Sequence, residues 1–358
     1  MTTATVGKKR ASRLNFTNLF RWVVGSVAVV VIFYGSIKSV ASGRLSWAQW
    51  RDLMVFGVAQ GSVYALIAMG YTMVYGVLRF INFAHGEVFM SGAMIGYFVA
   101  DALNRAGIWN EQPVVSLLIV LLVSMTTATS IAVILERVAY RPLRGAPRLI
   151  PLITSIGASF TLQYLFRGLF GAGTKAYPPM AAIQGKWIIF GIPILKSQVI
   201  VIGSAIVVMA GLYLFVEKTK TGRSMRAVAE DPETAALMGI NVDGTIVKVF
   251  AVGGAMAGVA GALWTLVFPT VNFFSGFLPG IKAFTAAVLG GIGNIFGAML
   301  GGVSLGMFES VGPSLVLGGY EVPAFNQLKD VVAFSALVLV LIFRPTGILG
   351  ERLAQERG

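Results

Sequence analysis

The sequence contains no cysteine and one histidine, and only 12% of its residues are charged. The absence of cysteine excludes disulfide bonds, thiolate catalysis and cysteine-ligated metal sites. A single histidine excludes a histidine-rich metal site, so we predict that the chain binds no metal. The sequence also lacks a serine–histidine–aspartate set, a pair of carboxylates placed for catalysis, and a phosphate-binding loop of the form G-x-x-x-x-G-K-[ST]. We therefore expect neither an enzyme nor a nucleotide-binding subunit.

Apolar sequence is what the chain has in abundance. Hydrophobic residues make up 56% of its 358 residues, and the mean hydropathy is +0.80. Soluble proteins carry about 25% charged residues, roughly twice the fraction found here. The composition predicts an all-α polytopic membrane protein. The net charge of +13 does not indicate a nucleic-acid partner, because basic residues of membrane proteins collect in cytoplasmic loops.

Ten apolar runs are predicted to be transmembrane helices, since a helix needs about 20 residues to cross the hydrocarbon core. The eighth and ninth runs are short and joined by a glycine-rich connection, so two short crossings and one re-entrant pair both remain open. The predicted spans are 22–38, 53–78, 82–103, 114–135, 149–171, 198–216, 246–268, 280–291, 295–310 and 327–344.

The distribution of basic residues predicts the orientation of these spans. With the N-terminus inside, 18 of the 28 basic residues fall in inner segments, as the positive-inside rule requires. Both termini are therefore expected in the cytoplasm. No cleavage site follows the first apolar run, which is interpreted as an anchor. The predicted organisation is a basic segment with an additional span (1–50), a permease domain (51–350) and a cytoplasmic tail (351–358).

An internal repeat relates two stretches of the chain. Residues 56–96 align without gaps with residues 250–290, and nine positions match, among them Phe56 with Phe250 and Gly86 with Gly280. In the predicted topology the second span runs inward and the seventh runs outward. The two halves are therefore predicted to be inverted repeats, an arrangement common in transporters.

Small and polar residues within the spans supply further candidates. Gly293, Gly297 and Gly301 recur every four residues, which predicts a smooth ridge for close helix packing. Ionisable and amide side chains at membrane depth usually face a bundle interior or water, so five are candidates for the pathway or a gate. The simpler interpretations are a hydrogen-bonded helix start for His85 and Glu87 and snorkelling to the outer surface for Lys282. The five candidates are Asn82, His85, Glu87, Lys282 and Asn294.

A charged island at residues 217–248 separates two long apolar stretches. Asp231 and Pro232 are suited to the N-cap and first turn of a helix. A short helix is predicted from Pro232 to Met238, and Gly239 is predicted to end it in a left-handed conformation. The apolar residues of this helix would face water, which indicates a partner.

The order Glu233-Thr234-Ala235-Ala236-Leu237-Met238-Gly239 resembles the EAA loop of ABC-importer permeases, which docks in a groove of the ATPase. The resemblance implies that this island is an ATPase-coupling loop. The residues expected to take part are Arg226, Glu230, Asp231, Glu233, Ala236 and Gly239.

Five stretches together resemble the LivH-type permeases of branched-chain amino acid ABC importers. These stretches are residues 81–87, 136–145, 222–241, 280–302 and 344–350. The resemblance implies a type II-like importer permease in a bacterial inner membrane that passes branched-chain amino acids. It also implies a second similar permease, two cytoplasmic ATPases that use ATP, and an outer solute-binding protein, with no cofactor bound by this chain. Residues 1–50 depart from the family pattern.

Three alternatives remain open from the sequence alone. Permeases for urea, amides or other amino acids share the same pattern. A secondary transporter or channel would also be apolar and built from inverted repeats, but it needs no docking helix and more often carries carboxylates near the midplane. A membrane scaffold would leave the island of residues 217–248 without a role.

Overall fold

In the computed structural model, residues 16–147, 149–189 and 191–350 are described. The predicted tail at 351–358 and the start of the basic N-terminal segment lie outside these residues. Thirteen α-helices account for most of the described chain. Their bounds are α1 Phe16–Ala41, α2 Trp47–Leu78, α3 His85–Arg105, α4 Ile108–Glu111, α5 Pro113–Leu135, α6 Leu149–Phe170, α7 Lys196–Lys218, α8 Lys220–Glu230, α9 Pro232–Leu237, α10 Val242–Val267, α11 Phe277–Gly290, α12 Ile295–Val316 and α13 Lys329–Phe343.

Each of the ten predicted spans coincides with one of these helices. Within the described residues, eight helices are long and apolar enough to cross a membrane. The other two predicted spans correspond to α3, which is more polar, and α11, which has 14 residues. At 1.5 Å per residue α11 is about 21 Å long, shorter than the hydrocarbon core of about 30 Å. The ninth span, predicted to end at 310, continues to Val316 as a helix of full length.

Polar residues at the helix ends determine where several spans begin. Ser46 and Gln49 form a reciprocal capping box at the start of α2. Asn241 and Asn294 accept backbone N–H bonds at the starts of α10 and α12. Pro113 occupies the first turn of α5, where its missing N–H costs nothing.

In the part of the chain that the structure describes, four short strands lie between the helices and form two small antiparallel sheets. β1 (Lys175–Ala176) pairs with β4 (Thr270–Val271). β2 (Lys186–Ile189) and β3 (Ile192–Leu195) form a hairpin that leads directly into α7. The pairing of β1 with β4 places the α6–α7 and α10–α11 connections on the same side of the helices.

Hydrogen bonds and ion pairs also join loops that the predicted topology places on the same side of the membrane. Arg79 Nη2 donates to Ala229 O at 2.7 Å, and Ile348 N donates to Leu289 O at 2.8 Å. All four residues belong to the predicted cytoplasmic side or its adjoining helix ends. On the other side, Arg44 Nη2 lies 3.1 Å from Glu321 Oε1. These contacts join segments that the ten-span topology places on the same side, while the identity of the cytoplasmic side stays a prediction.

In the core, the central helix of each half packs against a helix of the other half. α2 and α10 are the most enclosed spans, with 72% and 67% of their apolar windows buried. α2 packs most extensively against α12 of the second half, and α10 packs most extensively against α5 of the first half. At the α3–α11 contact, a Cβ on Gly280 would lie 2.8 Å from the Cα of Gly86. These two glycines are equivalent in the repeat, so the helices cross near the axis that relates the halves.

The predicted glycine ridge is only partly present. A Cβ on Gly297 would lie 2.6 Å from Gly290 O, and one on Gly301 would collide with Ala286 O. Both residues therefore pack α12 closely against α11, as predicted. Gly293 does not belong to this contact, because it lies before α12 with φ +98° and nothing within 4 Å of its Cβ position. Asn294 begins the helix after Gly293, which the four-residue spacing did not reveal.

Candidate functional site

The charged island folds into α8 and α9 at the end of α7. Thr219 separates α7 from α8, and its hydroxyl accepts a hydrogen bond from Gly222 N at 3.0 Å. Gly222 lies directly against the backbone of Phe215 and Val216, where any Cβ would collide. Only a glycine permits so sharp a turn between the two helices. The turn fixes the position of α8 relative to the end of a membrane span.

The capped helix predicted within the island is confirmed. Asp231 is the N-cap of α9, and its carboxylate accepts from Glu233 N at 2.9 Å and Thr234 N at 3.2 Å. Hydrogen bonds from the Thr234 hydroxyl and from these backbone amides lower the pKa of Asp231 below its ordinary value. Gly239 has φ +82°. Ile240 N donates to Ala235 O and Gly239 N to Ala236 O, each at 3.0 Å, which is the Schellman ending of a helix.

The tip of α9 presents apolar side chains to the surroundings. Leu237 is 87% exposed and Met238 is 79% exposed, whereas Ala235 is buried against the core. Glu233 and Ala236 share the exposed side. Within the part of the chain that the structure describes, Glu233 forms no ion pair. The tip combines a rigid short helix, two large apolar side chains and a free carboxylate.

The remaining predicted coupling residues have local roles. Arg226 Nη1 lies 2.5 Å from Glu217 Oε2, so it ties α8 back to the end of α7. Glu230 is the last residue of α8. Six residues that belong together in the sequence therefore divide into a supporting part on α8 and an exposed part on α9.

Two contacts that the sequence analysis missed join the island to the membrane core. Arg79, which ends α2 in a left-handed conformation with φ +55°, donates from Nη2 to Ala229 O of α8 at 2.7 Å. Asp243 at the start of α10 pairs with Arg141 at 2.7 Å and with Arg144. Arg144 also pairs with the fully buried Glu136. The sequence indicates residues 136–145 as part of the family resemblance and of a basic inner loop, but it does not reveal their pairing with Asp243.

The first three pathway candidates lie together at the start of α3. Asn82 Oδ1 accepts from Tyr140 OH at 2.6 Å and from Ala84 N at 3.2 Å. His85 packs edge-on against Tyr71, with ring centroids 4.7 Å apart. Glu87 Oε1 accepts from Gln163 Nε2 of α6 at 2.7 Å. All are buried, and Asn82 has the role of a hydrogen-bonded turn residue before the helix.

Lys282 does not snorkel to the surface. Its side chain is 7% exposed, and its Nζ lies 2.7 Å from Glu309 Oε1 of α12 and 2.7 Å from Asp330 Oδ1 of α13. Tyr64 OH of α2 donates to Glu309 Oε2 at 3.0 Å. The interpretation of Lys282 as a surface-seeking residue is therefore wrong. It belongs instead to a buried ionic cluster that joins four helices, because a buried charge is retained only when it is paired.

Asn294 lies apart from the other pathway candidates. Its Oδ1 accepts from Gly297 N at 2.9 Å and its Nδ2 donates to Leu349 O at 3.2 Å. It therefore caps α12 and holds the segment after α13. Asn294 also lies at the edge of a groove of about 850 Å³ between α2, α7 and α12, whose walls include Met69, Met209 and Met299.

Comparison with known proteins decides the family. The family described as branched-chain amino acid transport system, permease component, matches residues 53–341. The chain belongs to this family. The family match begins at residue 53, after α1. The chain is accordingly a multi-pass membrane permease component.

Individual relatives support the same assignment. The high-affinity branched-chain amino acid transport system permease protein BraD of Pseudomonas aeruginosa is 45% identical over 301 residues, which cover 83% of this chain and 95% of BraD. The corresponding protein LivH of Escherichia coli K12 is 42% identical over 303 residues, covering 83% of this chain and 94% of LivH. The probable LivH of Methanocaldococcus jannaschii is 29% identical over 304 residues, covering 82% and 90%.

Proposed function

We propose that this chain is the membrane permease subunit of an ABC importer and that it passes branched-chain amino acids across a bacterial inner membrane. The family match and the near full-length likeness to BraD and LivH support the substrate class. Both termini and the island at 217–248 face the cytoplasm in this proposal. A second permease subunit, two ATPases and an outer solute-binding protein complete the importer.

The observation that carries the coupling proposal is the exposed tip of α9. Leu237 and Met238 are among the most exposed large apolar residues of the described chain, although they lie in a polar segment outside the membrane spans. Large apolar side chains exposed at a rigid surface are typical of a protein interface. An ATPase subunit covers them in the assembled importer, and Glu233 pairs with a basic residue of that subunit.

The island transmits movement because it is tied to the core at both ends. Arg79 connects α8 to the junction of α2 and α3. Asp243 connects the start of α10 to the segment that follows α5 through Arg141 and Arg144. α2 and α10 are the central helices of the two halves, so a displacement of α8 and α9 reaches both. ATP binding remains a property of the partner subunits, and the chain alone moves no solute.

The decisive experiment measures ATP-driven leucine uptake and ATPase co-purification in the reconstituted importer. Gly239→Val forces a β-branched residue into a left-handed conformation, a strain of about 1 to 3 kcal/mol, and should reduce both quantities. Glu233→Lys should reduce ATPase co-purification without changing insertion. Gly171→Val is the matched control, because Gly171 has φ +85° and no atom within 4 Å of its Cβ position but lies outside the island.

The results separate the coupling role from the substrate class. If both island variants keep normal uptake and co-purification while Gly171→Val also does, residues 217–248 are only a linker. If the wild-type importer is driven by ATP but takes up urea or an amide and not leucine, the coupling role stands and the substrate class is wrong. Leucine flux through the purified chain without ATPases would contradict the importer class itself.

A further inference from the structure

The hairpin of β2 and β3 is an apolar element that none of the proposed transport roles uses. Lys186 pairs with Leu195 at its base, and Ile189 pairs with Ile192 near its turn. Gly191 in the turn has φ +79°. Lys196 N donates to Gly185 O at 3.1 Å and closes the base. Lys196 is also the first residue of α7, so the hairpin is directly continuous with a membrane span.

Both faces of the hairpin carry apolar side chains that are partly uncovered. Ile188 is 78% exposed and Leu195 is 42% exposed on one face, and Trp187 is 45% exposed and Ile192 is 37% exposed on the other. A two-stranded hairpin alone is at best marginally stable in water. Exposing apolar side chains on both faces would weaken it further, so this surface requires a cover.

The charge of the surrounding segment indicates what that cover is. Residues 168–216 contain the three lysines Lys175, Lys186 and Lys196 and no aspartate or glutamate. Such a segment complements a surface of phosphate groups. Tryptophan and lysine beside the end of a span are typical of the membrane–water interface, where an indole ring and an ammonium group both reach polar head groups.

The dimensions of the hairpin fit the same layer. A strand of four residues is about 13 Å long, whereas each interfacial layer of a bilayer is about 5 to 8 Å thick. The hairpin therefore fits within the layer when it lies along the membrane plane. In that position the face carrying Ile188 and Leu195 reaches the acyl chains, and Lys186 at the base reaches back to the phosphates.

We infer that the β2–β3 hairpin is an interfacial membrane anchor that binds phospholipid head groups and buries Ile188 at the acyl boundary. This anchor holds the first turn of α7 at a fixed depth in the bilayer. The anchor role depends neither on the transported substrate nor on the coupling loop, and it is the same on either side of the membrane.

The absence of cysteine permits a direct test with a single environment-sensitive label. Ile188→Cys carries the fluorophore NBD in the full chain, reconstituted in nanodiscs of phosphatidylethanolamine and phosphatidylglycerol. Thr174→Cys is the matched control, because Thr174 is exposed in the same segment but outside the hairpin. Lipid with a spin label near the top of the acyl chain should quench position 188 about threefold more than position 174, as expected for a residue at the interface. Iodide should quench them in the opposite order.

A second label and a charge variant keep the test independent of any one substitution. Ile192→Cys reports on the other face and should be less quenched by spin-labelled lipid than position 188. Lys186→Gln should reduce the lipid quenching at position 188 in nanodiscs that contain phosphatidylglycerol. Strong iodide quenching at position 188 without lipid quenching would overturn the inference. Shielding of position 188 only after addition of a soluble solute-binding protein would also overturn it and would identify a protein-docking surface.

Discussion

The two halves of the molecule fix their equivalent inner helices with opposite chemistry. In the first half, Glu87 follows Gly86 on α3, and its Oε1 accepts from Gln163 at 2.7 Å and from Ser159 at 3.4 Å, both on α6. In the second half, Lys282 lies two residues after Gly280 on α11 and pairs with Glu309 and Asp330. Both anchors flank the crossing of the helices, but one has neutral partners and the other has charged partners.

This difference shows that the two halves hold equivalent helices by different chemistry. A carboxyl group that is held by an amide and a hydroxyl depends on hydrogen bonds. A buried ammonium group depends on the charges that compensate it, and removal of one partner leaves the other uncompensated. The second half should therefore be much more sensitive to a single substitution, although its C-terminal helix α13 is the less buried of the two peripheral helices, with 6% of its window buried against 33% for α6.

The ionic anchor consists of Lys282, Glu309 and Asp330. The largest effect is expected when it loses its lysine. Lys282→Met leaves Glu309 buried without its closest charge partner and should reduce the free energy of unfolding by about 3 to 5 kcal/mol. The measurement is unfolding of the purified chain in mixed micelles, with the amount of inserted protein as a second readout.

Two further variants make this prediction specific to the buried pair. Lys329 Nζ is 3.8 Å from the same Glu309 oxygen, but its side chain is half exposed. Lys329→Met should therefore cost less than about 1 kcal/mol. Adding Glu309→Gln to Lys282→Met should restore much of the lost stability, because the amide still accepts from Tyr64. Equal losses for the two lysine variants would contradict the contrast between the anchors.

A smaller effect is expected at the α3–α11 crossing, where Gly86 and Gly280 meet. Gly280→Val puts a branched side chain where the Cβ would already lie 2.8 Å from the Cα of Gly86. Overpacking of this kind costs about 1 to 3 kcal/mol. Gly203→Val in α7 is the control, because nothing lies within 4 Å of its Cβ position. An unchanged midpoint of the unfolding transition for Gly280→Val would mean that α3 and α11 do not approach each other closely.

The anchor formed by Glu87 and its uncharged partners should tolerate the loss of its ionisable group. The ionic anchor should not tolerate the loss of Lys282. Glu87→Gln keeps an oxygen that accepts from Gln163, so it should change the free energy of unfolding by less than about 1 kcal/mol. Gln163→Leu removes the donor from a buried carboxyl group and should cost about 1 to 3 kcal/mol. Unfolding of both variants in mixed micelles shows which of them loses more free energy of unfolding. A larger loss for Glu87→Gln than for Gln163→Leu would show that the charge of Glu87 matters more than its hydrogen bond.

These anchors also mark the limit of what the sequence could predict. The ten helices and the capped helix at Pro232–Leu237 depend on local features: runs of apolar residues, an aspartate before a proline, and a glycine after the last turn. The partners of Lys282 are 27 and 48 positions away in the chain, and no local pattern connects them. The error at Gly293 has a related cause, because a four-residue spacing gives a common face only where the helix has already begun.

The smallest effect is expected at Asp231, whose carboxylate is exposed to water, in contrast to the buried carboxyl group of Glu87. Asp231 is exposed and caps α9, and its hydrogen bonds lower its pKa relative to the unfolded chain. A group with a depressed pKa stabilises the folded form above its unfolded pKa, and this stabilisation is lost as the pH falls through the folded pKa. Hydrogen exchange at Glu233 and Thr234, corrected for intrinsic rates, should therefore show protection at neutral pH that declines below about pH 4, the ordinary range of an aspartate.

Asp231→Asn keeps a capping oxygen without a titrating group, so its protection should not depend on pH in this range. If the wild type and Asp231→Asn respond identically to acid, the cap of α9 does not depend on the charge of Asp231, and the exposed carboxylate resembles the buried Glu87 in acting through hydrogen bonds alone.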